Sequence, residues 1–215
     1  MDMFYTAAPD TPSLPLYHTL YETFHLARNL YDPEMEYNVA LTRTWALVAY
    51  FLSNEAVVPF SVHLYGEFLT EALLDLEAAY EDLLNQTQPL LNHLREAVSN
   101  FSAVTTNWTA NLVSLQLDDP MAVRAANDAQ MMLDRAFLDP RGLPGRHHFN
   151  HVVMAPSSSN TYASQSFAGL QDLLADLPYL PPDEQAIRWR QINEHLAAVI
   201  HLIRAAANTL TGELW

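Results

Sequence analysis

The feature that most constrains this chain is a run of apolar residues spaced by three and four. Leu91, Leu94, Val98, Phe101, Val104, Trp108, Leu112 and Leu115 fall on one face of a helix. That spacing cannot serve a strand, whose side chains alternate faces at every residue. The pattern returns with Leu69, Leu73, Leu76 and Tyr80, with Val123, Ala126, Met131 and Phe137, and with Ile192, Leu196, Val199, Ile203, Ala206 and Leu210. Long helices with one apolar stripe each bury those stripes against one another, so the expected class is mainly α, a long-helix bundle.

Capping residues set the boundaries. Ser61 is placed as the N-cap of a helix over 62–85, and Thr87 with Pro89 opens one over 89–116. Asp119-Pro120 opens a third over 120–138, and the last runs from 183 to 210 with Gly212 as its stop. Upstream, a short helix is expected from His18 to Tyr31, with Leu20, Phe24, Ala27 and Tyr31 on one face. Asp32 then caps a helix that starts at Pro33, reaches Ser53 and buries Met35, Val39, Trp45, Val48, Phe51 and Leu52. Residues 139–168 break the pattern with Pro140, Gly142, Pro144, Gly145 and Pro156. Only 151–154 reads as a strand there, and a long loop with Phe149, Tyr162 and Phe167 reads as functional rather than disordered. A short helix over 169–177 and the hinge 178–182 complete the chain.

Charge narrows the function. The 215 residues include 25 Asp and Glu against 10 Arg, with no Lys, for a net charge of −15. Such a chain is not expected to bind nucleic acid, which needs clustered cations, nor anionic lipid. The absence of Cys removes disulfides, thiolate zinc sites and thiol nucleophiles. None of the five Gly forms a phosphate or dinucleotide loop. Neither a secretory leader nor a membrane-spanning segment is read; the apolar stretch 44–54 is about half the length a span requires.

Few residues suggest chemistry by themselves. His147, His148 and His151 cluster without the Asp, Glu or Cys that would complete a zinc site, which favours a structural or solvent-facing role. His195 and His201 are spaced wrongly for one helix face, and Glu77 with Glu81 reads as a solvated surface. His18, at a loop-to-helix junction, could be a ligand or an ordinary polar residue. Asn85, Asn100 and Asn107 each begin an Asn-x-Ser/Thr sequon, a weak sign of a secreted context.

Several motifs occur in one order along the chain. They are 14–23 (LPLYHTLYET), Tyr31-Asp32-Pro33, 97–102 (AVSNFS), 136–144 (AFLDPRGLP), 151–158 (HVVMAPSS) and 204–210 (RAAANTL). Together they resemble the glutamate carboxypeptidase II family of zinc peptidases, the N-acetylated-alpha-linked acidic dipeptidases. The segment from residue 57 resembles the helical dimerisation domain that this family shares with the transferrin receptor.

The resemblance implies a division into 1–56, the end of a peptidase domain, and 57–215, a dimerisation domain with a substrate-side loop at 139–168. It implies a parent with two zinc ions, hydrolysing peptides one terminal residue at a time as a homodimer on the extracellular face of the plasma membrane. His18 then corresponds to a terminal zinc ligand, and Tyr17 to a phenol beside the reacting carbonyl. Asn160, Thr161 and Tyr162 fall on the substrate side, and Asn100 matches a glycosylated position. Thr161 stands where glutamate-selective members carry a lysine, which leaves carboxypeptidase and aminopeptidase activity both open. A single His cannot hold two metals, so this chain by itself is expected to be inactive, as the C-terminal part of such an enzyme. The rival readings are a non-catalytic, receptor-like dimerisation module and a helical interaction protein with no metal.

Overall fold

Two helices organise the larger part of the structure, a computed structural model that describes residues 3–6, 15–160 and 163–212. The chain divides into two compact units, 1–58 and 59–215.

In the second unit, α3 (Val62–Leu84) and α4 (Gln88–Leu112) form a helical hairpin closed by the 3₁₀ turn Asn85–Thr87. The buried Thr87 hydroxyl donates to the Leu84 carbonyl, 2.8 Å, satisfying a group that the turn would strand. The other face of α4 packs on α7 (Pro182–Thr211), which also receives α5 (Pro120–Arg135) and α6 (Ala168–Asp176). Leu91, Leu94, Val98 and Phe101 from α4 meet Ile192, Leu196, Val199 and Ile203 from α7 in one buried core. Gly66 lets α3 and α4 approach: a Cβ there would stand 2.3 Å from Thr105 Oγ1. Gly212, at φ 71°, ends α7 in the left-handed conformation expected of it.

Several expected boundaries shift, each for a local reason. α4 stops at Leu112 rather than near 116, where the Ser114 hydroxyl and N–H both take the Asn111 carbonyl. Asp119 caps α5 as expected, accepting from the N–H groups of Met121 and Ala122. Ser61 makes no such bond at the start of α3, and Tyr80 leaves helical geometry at φ −133°. Met131 is exposed, because the buried row of α5 runs Ala126, Gln130, Leu133 and Met131 lies off it.

Residues 139–168 are not a free loop. Leu143, Val152, Val153 and Phe167 are fully buried in the bundle core. The expected strand at 151–154 begins later: β1 (Met154–Pro156) pairs antiparallel with β2 (Ser164–Ser166). Ahead of it the Val153 N–H is taken by the His151 ring and the Val152 N–H by the Phe137 carbonyl.

The first unit departs further from expectation. Residues 16–22 form turns, with Thr19 N–H donating to the Leu16 carbonyl and Glu22 N–H to that of Thr19. Helix therefore starts only at α1 (Phe24–Leu26), capped by Thr23, and continues as a π-helical stretch over Ala27–Tyr31. Leu20, Phe24 and Tyr31 are exposed, so they form no buried face. α2 (Glu36–Asn54) begins after Met35, which is left-handed. Asp32 is buried and accepts the N–H groups of Tyr37 and Asn38, so it steadies α2 from outside the first turn instead of capping a helix at Pro33. No residue of α2 is buried: Val39, Trp45, Phe51 and Leu52 are exposed, and Met35 and Val48 are half-buried. Among the described residues of this unit, none buries its apolar face.

His195, on α7, is buried against Gly169 of α6, where a Cβ would stand 2.4 Å from Nε2. Burial pushes its pKa down from 6.5 to about 4, although the Asp139 carboxylate pulls the other way. The unfolded chain takes up this proton first, so acid favours unfolding. Stability is expected to fall by about 3 kcal/mol as pH drops from 6.5 to 4. Urea unfolding across that window checks this, and His195→Gln should flatten the slope there; an unaltered slope would show that His195 does not set it.

Candidate functional site

Two segments hold the residues singled out by sequence, one in each unit. In the first, Tyr17 and His18 sit in the turn closed by Thr19 N–H to the Leu16 carbonyl, 3.0 Å. The Thr19 hydroxyl reinforces it, donating to the same carbonyl at 2.6 Å. His18 takes a left-handed backbone, φ 59°, uncommon for a residue with a Cβ. Its N–H donates to Glu22 Oε2, 2.9 Å, so the acid four residues on holds the turn. The two rings stack at 3.8 Å and 21°, and both residues are exposed. This turn presents an imidazole and a phenol side by side.

Asp32 lies a few residues further on, with its carboxylate held by Asn38 Nδ2 at 2.6 Å and by two backbone donors. Burial pushes its pKa up, but these donors outweigh it and hold the carboxyl below its ordinary 3.8. That role is structural: it fixes the bend between the π-helical stretch and α2.

In the second unit, the hairpin β1–β2 carries Asn160 at its tip. The Ser157 N–H donates to the Ala163 carbonyl at 2.8 Å, and the Ala163 N–H to that of Asn160 at 2.9 Å. Thr161 and Tyr162 lie outside the described residues. The root of the hairpin is tied by His151. Its Nδ1 accepts the Met154 N–H at 2.9 Å, which places the proton of the neutral ring on Nε2. Nε2 faces the Tyr65 hydroxyl at 3.2 Å and Asp134 Oδ1 at 3.5 Å. Burial lowers the His151 pKa, opposed by Asp134, so the ring that accepts those backbone donors is neutral. Burial and Asp134 together raise that of Tyr65.

The remaining His residues of the cluster go separate ways. His147 Nδ1 lies 3.0 Å from the Arg141 carbonyl, and His148 packs on the Phe149 ring at 4.3 Å. Among the described residues, no group of three or more His, Asp or Glu could hold a metal. Zinc takes about four ligands, so the described donors do not by themselves fit a zinc centre, and His18 is exposed. Asn85, Asn100 and Asn107 are all exposed.

Sequence reasoning missed the ion pairs that hold the second segment. Asp139, buried, accepts from the Arg141 guanidinium at 2.8 Å, and Arg146 meets Asp172 at 2.6 Å. The first has a signal in its two-residue spacing; the second, 26 residues apart, has none.

The second unit is a helical bundle with its long inter-helical segment folded into its core. Residues 84–211 match the transferrin receptor-like dimerisation domain, and the chain belongs to that family. The chain is 33% identical to mouse aminopeptidase NAALADL1 across 98% of its length. It is 29% identical, over 93% of its length, to the probable glutamate carboxypeptidase LAMP1 of Arabidopsis thaliana. A Caenorhabditis elegans glutamate carboxypeptidase 2 homolog is 24% identical over 91%. The chain spans only 28% of the mouse and Arabidopsis proteins and 27% of the nematode one. No described helix is long and apolar enough to cross a membrane.

Titration of the purified chain with zinc is expected to show no stoichiometric submicromolar site. Calorimetry checks it, and tight one-to-one binding lost in His18→Ala would overturn this reading of the donors.

Proposed function

We propose that this chain is the C-terminal part of a zinc-dependent exopeptidase, supplying one metal ligand, a substrate-side hairpin and the dimerisation domain. The observation that carries the reading is the Tyr17–His18 turn, an exposed imidazole and phenol fixed together. It lies in a chain matched over nearly its whole length by proteins named as an aminopeptidase and a glutamate carboxypeptidase. The exposed apolar face of α2 supports it too, because such a face needs a partner surface and the described residues of 1–58 leave it exposed.

In this reading His18 supplies one donor to a two-zinc centre whose other ligands lie in the rest of the protein. Zinc, when bound there, would polarise the scissile carbonyl and activate water. Tyr17 presents its phenol to the negative charge that develops on the carbonyl oxygen, a hydrogen-bond donor aimed at the transition state. Asn160, Thr161 and Tyr162 line the side of the substrate away from the bond that breaks. Thr161 offers a short neutral hydroxyl, and the chain has no Lys, so an acidic terminal residue gains no charge-assisted bond from this segment. Either carboxypeptidase or aminopeptidase action fits a site of that kind.

The helices of 59–215 associate as a two-fold homodimer, and no nucleic acid is a partner. The protein works on the extracellular face of the plasma membrane, where the exposed Asn85, Asn100 and Asn107 are open to glycosylation.

Expression of the longer protein tests the reading. His18→Ala is expected to lower kcat/KM for dipeptides by about 1,000-fold, about 4 kcal/mol of lost transition-state stabilisation. Thr161→Lys is expected to raise preference for Glu-terminated over Leu-terminated peptides by about 10- to 100-fold. Full activity in His18→Ala would remove His18 from the metal site, and no hydrolysis by the unmodified longer protein would leave the non-catalytic dimerisation module as the better reading. Sedimentation at tens of micromolar is expected to show a dimer, and monodisperse monomer would count against the association.

A further inference from the structure

The hairpin that carries Asn160 is clamped by a largely buried ion pair. Arg146 leaves the Pro144-Gly145 turn, in which its N–H donates to the Leu143 carbonyl at 2.9 Å and Gly145 takes φ 73°. This fixes the backbone of Arg146 before its side chain reaches out. Its Nη1 donates to the Pro156 carbonyl at 2.6 Å, and Pro156 is the last residue of β1. Its Nη2 lies 2.6 Å from Asp172 Oδ2 on α6, with both side chains mostly buried, 16% and 18% exposed. The guanidinium also stands over the Phe149 ring, 5.4 Å from its centroid. One planar group thus joins the tight turn, the end of β1 and α6, which a single-point ammonium cannot do.

A second tie holds the other strand to the same helix. Gln165 Nε2 donates to Gln171 Oε1 at 2.7 Å, and Gln171 Nε2 to the Ser166 carbonyl at 2.7 Å. Both strands are therefore fastened to α6, and the residues between them, beginning with Ser157, project from a fixed base.

We infer that Arg146, with Asp172, is a positioning residue: it clamps the 154–166 hairpin onto α6 and so sets where the tip stands against the substrate. The second half of that statement rests on the substrate-side reading of the hairpin; the first half does not. The guanidinium of Arg146 is engaged within the protein by the Pro156 carbonyl, Asp172 and the Phe149 ring. Its effect on catalysis passes through the hairpin.

Hydrogen exchange on this chain tests the clamp directly. In Arg146→Lys the Ser157 and Phe167 amides, bonded to Ala163 and Val153, are expected to exchange about tenfold faster, while amides of α4 and α7 stay protected. Losing one member of a buried pair leaves the other charge stranded, so Arg146→Met is paired with the double variant Arg146→Met/Asp172→Leu. The double variant is expected to recover the thermal stability that Arg146→Met loses, but not the slow exchange of the hairpin. Unchanged exchange in both Arg146→Lys and the double variant overturns the clamp, whatever the activity. In the longer protein, Arg146→Lys is expected to raise KM about tenfold with kcat within about twofold, as for lost substrate positioning. Fast exchange with an unaltered KM overturns the positioning role and the substrate-side reading with it, and leaves only a structural clamp.

Discussion

One aromatic stack holds the second unit together. Tyr65 of α3 lies flat on Phe137, just after α5, with centroids 5.2 Å apart and planes at 1°. Phe101 of α4 meets Phe137 edge-on at 5.6 Å, and the His151 ring lies 5.5 Å away on the loop side. Three helices and the inserted segment thus meet at Phe137, which is fully buried. Aromatic pairs of this kind contribute about 0.5–1.5 kcal/mol beyond the area they bury. The stack also orients polar groups: Tyr65 is held where its hydroxyl donates to Asp134 at 3.0 Å and faces His151. It thereby gives the His151 end of the hairpin one of its references in the bundle.

The bundle was legible because its helices obey a single period. Leu91, Leu94, Val98 and Phe101 are buried as their spacing requires, and the whole of α7 runs as read. The family resemblance was legible as well, because it rests on short motifs in order, and the match over 84–211 bears it out. The beginning of the chain was read less well. The pattern in α2 is apolar enough to suggest burial, yet burial depends on a second surface, and amphipathic spacing says nothing about whether one is present. At 16–22 the hydroxyl of Thr19 and the carboxylate of Glu22 bind backbone groups that a helix would have used. Such side-chain competition has no period and escapes pattern reading.

The site residues divide along the same line. Tyr17 and His18 could be singled out only through resemblance, since one His at a junction has no spacing to analyse. Their stacked, left-handed turn adds a physical reason to attend to them, because residues in sparsely populated backbone regions concentrate where function demands them. His151 was read as structural or solvent-facing, and its bonds to Met154, Tyr65 and Asp134 make it structural.

The polar groups of the second unit are distributed with a purpose that the core alone does not explain. The α4–α7 seam is apolar along most of its length, whereas 139–172 holds the buried Asp139, the Arg146–Asp172 pair, His151 and the Gln165–Gln171 tie. Apolar residues of similar volume often hold a fold as well as a buried ion pair does, because desolvation offsets much of the attraction. An apolar contact, however, tolerates sliding, while a guanidinium bound at once to a carbonyl and a carboxylate fixes direction. A segment that only filled space between α5 and α6 would need no such fixing. One that must present its tip at a set place would need it on each strand, and the tie from Gln171 to Ser166 holds the root of β2 while that from Arg146 to Pro156 holds β1 where it enters the tip.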